Sequence, residues 1–89
     1  MRKSIHRPEY RLFCSVLREA RERAGLTQAV LAKRLKRPQT FVSAVERGLV
    51  RQDFLQLRDW CVRCRTTVAE LANEFETVLK ASRKTKKAT

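Results

Sequence analysis

The stretch that decides the fold is residues 25–48, GLTQAVLAKRLKRPQTFVSAVERG. Its first half predicts a short helix, because Thr27 can cap a helix through its side-chain oxygen and apolar residues then recur on one face. Pro38 is tolerated only in the first turn of a helix, so a second helix is predicted to begin there. Gly48 suits a left-handed position at its end. The stretch therefore predicts two short helices joined by a tight turn.

The second of these helices has two different faces. Val42 and Val45 are predicted to point into a core, with Phe41 at the edge of that face. The opposite face is small and polar. It carries Gln39, Thr40, Ser43, Ala44 and Arg47. Hydrogen-bonding groups of this size suit the edges of DNA bases, so this helix is predicted to lie against DNA.

The motif resembles the helix-turn-helix of the phage repressor and Cro proteins, also called the XRE family. The matching residues are Leu26-Thr27-Gln28, Leu31-Ala32, Leu35, Pro38-Gln39, Val42-Ser43 and Glu46-Arg47-Gly48. With flanking helices the resemblance covers roughly residues 12–75. It implies an all-α, five-helix, lambda-repressor-like DNA-binding domain with the helix-turn-helix at helices 2 and 3. In that family the second helix of the motif enters the major groove and the first lies across the backbone.

The resemblance also implies roles for individual side chains. Those expected at base edges are Gln39, Thr40, Ser43 and Ala44. Those expected at phosphates, by the resemblance or by their charge and place, are Gln28, Lys33, Arg34, Lys36, Arg37, Arg47 and Arg51. Gln28 would also brace Gln39, and Arg21 would pair with Glu46.

One position departs from the family pattern, since Lys36 stands where members usually have glycine. If the turn keeps a left-handed residue there, Lys36 costs about 1–2 kcal/mol, which a phosphate contact would offset. If the turn changes instead, the angle between the two helices changes with it.

Charge and length limit the possible functions. The 89 residues predict one domain, and 21 Lys and Arg against 9 Asp and Glu give a net charge of +12. Such a charge predicts an anionic partner, most commonly nucleic acid. Residues 51–79 differ, with 4 basic and 5 acidic residues, a net charge of −1. This segment is therefore predicted to contact protein instead of DNA.

The remaining helices follow from caps and periodicity. A first helix is predicted from Pro8 to Gly25, and a fourth from Asp53 to Cys64. The apolar face of the fourth is predicted to hold Phe54, Leu57, Cys61 and Cys64. A capping box at Thr67 begins the fifth. The predicted division is a flexible basic arm over residues 1–7, the DNA-binding domain over 8–81 and a disordered basic tail over 82–89.

The fifth helix is longer than a small core requires. Phe75, Val78 and Leu79 are therefore predicted to lack a partner within the chain and to form a homodimer interface.

Cys61 and Cys64 have the spacing of a zinc or redox pair. A structural zinc site needs four ligands, and only Cys14 and His6 remain, far away in sequence. Buried packing is therefore predicted for the two cysteines, with no metal or cofactor, although a redox sensor stays an alternative. Three cysteines predict free thiols in a reducing compartment. Without a signal segment or a membrane span, a cytoplasmic protein with no membrane partner is predicted.

The sequence predicts a non-enzymatic regulator, since it has no glycine-rich phosphate loop and no HExxH motif. Its expected partner is double-stranded DNA, bound by a dimer at a palindromic operator, with repression as the simplest outcome. An antitoxin that also binds a toxin, a restriction–modification controller, an activator and a nonspecific nucleoid or RNA-binding protein stay open as alternatives.

Overall fold

The computed structural model describes the backbone of residues 7–88 and the side chains of residues 7–83. This part of the chain forms α1 (Pro8–Arg23), α2 (Gln28–Leu35), α3 (Gln39–Glu46), α4 (Phe54–Arg63) and α5 (Val68–Ala88). The predicted all-α, five-helix fold is confirmed. Most of the predicted basic arm, Met1 to His6, lies outside the described residues.

The helices enclose one core. α2 and α3 pack against each other, α1 packs against both α3 and α5, and α4 packs against α2 and α5. Val42 and Val45 lie in the core, as predicted. Trp60 is fully buried, and its indole Nε1 donates to the carbonyl oxygen of Leu17 at 3.2 Å. Trp60 therefore joins α4 to α1 within the core.

The three cysteines are free and buried. Cys61 and Cys64 pack in the hydrophobic core, which confirms their predicted buried position. Burial raises the pKa of the Cys64 thiol to about 11, with the neighbouring Cys61 as a smaller cause. At neutral pH this thiol is therefore protonated, the opposite of the thiolate that a reactive cysteine requires.

Four helices end at a residue with left-handed backbone geometry. Two of these residues are Gly25 and Gly48, with φ of +76° and +79°. The other two are Lys36 and Arg65, with φ of 59° and 61°. After Lys36, the backbone N–H of Arg37 donates to the carbonyl oxygen of Ala32 at 3.0 Å, which closes α2. The turn therefore keeps the family's left-handed geometry, although it holds lysine in place of glycine.

We expect Lys36→Gly and Arg65→Gly each to raise the free energy of unfolding by about 0.5–1 kcal/mol. Relief of left-handed strain gives about 1–2 kcal/mol, and the greater freedom of glycine in the unfolded chain removes part of it. Urea unfolding followed by circular dichroism measures both changes. The control is Gly48→Ala, which places a Cβ at φ +79° and should destabilise. Equal stability of all three variants and the parent would contradict the strain.

Three predicted boundaries and faces need correction. α3 begins at Gln39, because Pro38 has an extended ψ of 153° and acts as the N-cap. α5 continues to Ala88, past the boundary predicted at residue 81, since residues 82–88 contain no glycine or proline that would end a helix. Phe54 is 65% exposed, because it is the first residue of α4 and lies outside the core cluster.

The predicted apolar stripe of α5 also differs from the structure. Leu79 is buried, and Phe75 and Val78 pack against the core. The Phe75 ring meets Phe13 of α1 edge to face, with 5.4 Å between ring centroids. The prediction that these residues lack a partner within the chain is wrong, because α5 packs along α1 for more turns than the sequence suggested. Their use as a dimer interface loses its basis.

Candidate nucleic-acid interface

A buried ion pair holds α1 against α3. Arg21 Nε donates to Glu46 Oε2 at 2.6 Å, and Arg21 Nη2 donates to Glu46 Oε1 at 3.1 Å. Their side chains are only 10% and 4% exposed. Arg21 Nη1 also donates to the carbonyl oxygen of Leu26 at 2.8 Å. This pair, which the resemblance implied, fixes the end of α3 relative to α1 and to the start of the helix-turn-helix.

The same carboxylate continues into a chain of hydrogen bonds toward the surface. Gln28 Nε2 donates to Glu46 Oε1 at 3.0 Å. Gln39 Nε2 then donates to Gln28 Oε1 at 3.4 Å. Gln28 is half-buried, whereas Gln39 is exposed at the first position of α3. The two amides therefore connect the buried ion pair to the exposed N-terminal end of α3, and Gln28 braces Gln39 as the resemblance implied.

The polar face of α3 is accessible. Gln39, Thr40 and Arg47 are exposed, and Ser43 and Ala44 are half-buried between them. Val42 and Val45 occupy the opposite face in the core, so α3 cannot rotate without exposing them. The helix consequently presents amide, hydroxyl and methyl groups outward in a fixed orientation.

Cations surround the turn between α2 and α3. Those predicted at phosphates in this part are Lys33, Arg34, Lys36 and Arg37, and all four are exposed. The guanidinium of Arg37 lies over the ring of Phe41, 4.1 Å from its centroid. This cation–π contact holds Arg37 at the start of α3, where its charge adds to that of Lys36.

Arg51 lies in the segment that follows α3 and contacts α1. Its guanidinium is 4.9 Å from the centroid of the Tyr10 ring, and the Tyr10 hydroxyl donates to the carbonyl oxygen of Val50 at 3.5 Å. Gly48 also lies against Tyr10, where an added Cβ would be 3.6 Å from the ring. The sequence gave no signal for these contacts, because Tyr10 and Arg51 are far apart along the chain. They tie the segment after α3 to α1.

The chain belongs to the XRE-type helix-turn-helix family. Residues 13–73 match the protein family whose description is helix-turn-helix domain. A solved XRE-family like protein from Pseudomonas syringae pv. tomato str. DC3000 is 39% identical, with a TM-score of 0.74. The similarity covers 85% of this chain and 93% of that one. The predicted resemblance is therefore confirmed, and the family consists of DNA-binding transcription regulators.

Two structures of the clp gene regulator ClgR from Corynebacterium glutamicum share the fold at 22% identity. Their TM-scores are 0.72 and 0.75; the matches cover 80% and 88% of this chain and 91% and 85% of theirs. No curated protein sequence matches this chain significantly. In the described part of the chain, no helix is long and apolar enough to cross a membrane.

Proposed function

We propose that this chain is a sequence-specific transcription regulator that binds duplex DNA as a homodimer and represses by covering a promoter. α3 is the recognition helix in the major groove, with Gln39, Thr40, Ser43 and Ala44 at base edges. The observation that carries the proposal is the hydrogen-bonded chain from Arg21 through Glu46 and Gln28 to Gln39. It leads from the core to the exposed end of the helix that the family uses for DNA.

The amide of Gln39 is suited to adenine even while Gln28 braces it. A glutamine amide has two N–H donors and one carbonyl acceptor. One N–H donates to Gln28, which leaves the second N–H for adenine N7 and the carbonyl for the adenine N6 amino group. The brace restricts the rotamers of Gln39 before binding, so less side-chain freedom is lost when the base is read.

Phosphate contacts place the recognition helix in the groove. The proposed set lies on α2, in the turn before α3 and in the segment after α3, and consists of Gln28, Lys33, Arg34, Lys36, Arg37, Arg47 and Arg51. Lys36 occupies the left-handed turn position between α2 and α3, and its side chain is exposed there. These contacts add affinity without selecting sequence.

Selection of the wild-type protein against random duplex DNA tests the proposal. We expect enrichment of a palindrome whose half-sites are about one helical turn apart. Absence of any enriched sequence would contradict the proposal and favour nonspecific nucleic-acid binding. Enrichment of a single half-site would keep base reading and remove the dimer.

We expect Lys33→Ala and Arg34→Ala each to make the negative slope of log affinity against log salt shallower by about 1. The reason is that binding of each variant to DNA releases one fewer counterion. Binding should weaken to a similar degree on operator and random duplexes, which fluorescence anisotropy measures across a salt series. The control is Arg63→Ala, an exposed arginine of α4 in the segment without net positive charge. An equal loss of slope in the control would show that only total charge matters.

A further inference from the structure

The outer side of α4 is apolar at positions that face solvent. Leu55 is 71% exposed and Val62 is 46% exposed, and seven residues, or two helical turns, separate them along one line. Arg58 and Asp59 lie between them, one on each flank of this line, and both are exposed. We refer to Leu55, Arg58, Asp59 and Val62 as the α4 outer face.

Most of the exposed large apolar residues lie in the segment of the chain that contains this face. Among the residues whose side chains the structure describes, the exposed large apolar ones are Val30, Leu49, Val50, Phe54, Leu55 and Val62. All except Val30 lie between the end of α3 and the end of α4. Exposed apolar residues flanked by charged ones are typical of a protein interface.

The charges around this face favour a second copy of the chain as its occupant. Two chains of net charge +12 repel each other, and the repulsion is weakest where the local charge is balanced. The α4 outer face carries one cation and one anion and lies in the segment 51–79, whose net charge is −1. Within residues 7–83, neither Arg58 nor Asp59 forms an ion pair. Their charges are therefore available to a partner.

We infer that the α4 outer face binds the same face of a second copy, with the two α4 helices parallel and the two-fold axis between them. Leu55 then meets Leu55 of the partner subunit, and Val62 meets Val62 of the partner subunit. In a parallel pair, the flank that carries Arg58 lies next to the flank of the second copy that carries Asp59. The two-fold axis therefore gives two equivalent pairs, each between Arg58 and Asp59 of the partner subunit. An antiparallel pair would bring equal flanks together and place like charges opposite each other.

The parallel arrangement also suits the recognition helices. Only residues 47–53 separate α3 from α4, so the C-terminal end of α3 lies within reach of the N-terminal end of α4. Parallel α4 helices place both α3 helices at the same end of the dimer, as successive major grooves on one side of a duplex require. This part of the inference rests on the proposed function, whereas the packing of α4 on α4 depends only on the surface described.

Sedimentation equilibrium of the DNA-free protein tests the interface with a matched pair of variants. Wild type is expected to approach twice the mass of one chain as concentration rises, and Val62→Asp is expected to raise the dimer dissociation constant about tenfold or more. Val30→Asp is the control, since Val30 is 40% exposed but lies on α2. A monomeric wild type, or equal masses for the two variants, would overturn the inference.

Substitutions that reverse the charges of Arg58 and Asp59 test the parallel arrangement without changing an apolar residue. Arg58→Asp and Asp59→Arg should each weaken the dimer, because each places like charges opposite one another. The double variant should restore the wild-type mass, since both cross-pairs are then reversed together. If both single variants weaken the dimer and the double variant does not restore it, the parallel arrangement is overturned. Circular dichroism confirms that each variant folds.

The outcome separates this interface from the proposed function. A monomer that still enriches one DNA sequence would remove the α4 interface and keep base reading. A dimer that fails to enrich any sequence would remove base reading and keep the α4 interface.

Discussion

Glu46→Ala is expected to lower the free energy of unfolding by about 3–5 kcal/mol, the largest effect we predict for a single substitution on stability. The reason is that Arg21 would keep its buried position without the carboxylate that neutralises it. Gln28 would also lose its acceptor. Since a domain is stable by only about 5–15 kcal/mol, this loss is a large fraction of the total.

Thermal and urea unfolding followed by circular dichroism measure this loss. The control is Arg18→Ala, which removes an exposed ion pair with Glu22 and should change stability by about 0.5 kcal/mol or less. A double replacement, Arg21→Met with Glu46→Leu, should recover much of the lost stability, because no charge is then left without a partner. Equal losses for Glu46→Ala and Arg18→Ala would contradict a structural role for the buried pair.

Gln39→Ala is expected to weaken operator binding by about 1–3 kcal/mol, roughly 5- to 150-fold in dissociation constant. Preference at one base pair should be lost at the same time, because the variant lacks the amide that we propose selects adenine. The measurement is binding to the selected operator and to its single-base variants. Lys33→Ala is the comparison, since removal of a phosphate contact should weaken all sequences alike.

Gln28→Ala should act partly through Gln39. We expect the double variant Gln28→Ala with Gln39→Ala to lose less binding free energy than the two single variants lose in total. The reason is that the brace has no function once Gln39 is removed. Strict additivity would show that Gln28 contributes only its phosphate contact. Unchanged operator affinity in Gln39→Ala would remove the base-reading role altogether.

The predicted helix ends and the structure agree where local chemistry decides the outcome. Thr27 caps α2 by accepting from the backbone N–H of Val30 at 3.1 Å, and Asp53 caps α4 in a capping box with Gln56. Gly48 ends α3 with left-handed geometry, as predicted. Each of these features depends on residues within one helical turn of each other, so sequence spacing suffices to predict them.

The apolar faces of α4 and α5 illustrate the opposite case. Periodicity assigned Phe75 and Leu79 to an exposed stripe and Phe54 to the core, and the structure reverses both assignments. The pattern gave the apolar positions of each helix, but it gave neither the length over which α5 lies against α1 nor the place of the first residue of α4 outside the core. Without that length, the covered apolar residues could not be distinguished from the exposed ones.

The sequence by itself determined the number of helices, the caps at Thr27 and Asp53, the inward face of α3 and the polar face that the family presents to DNA. The tertiary structure decided that Arg21, Glu46, Gln28 and Gln39 form one hydrogen-bonded chain, and that α4 rather than α5 leaves apolar surface uncovered. The physical reason is range. Caps and periodicity act within a few residues, whereas burial and ion pairing depend on how helices distant in sequence are placed against each other.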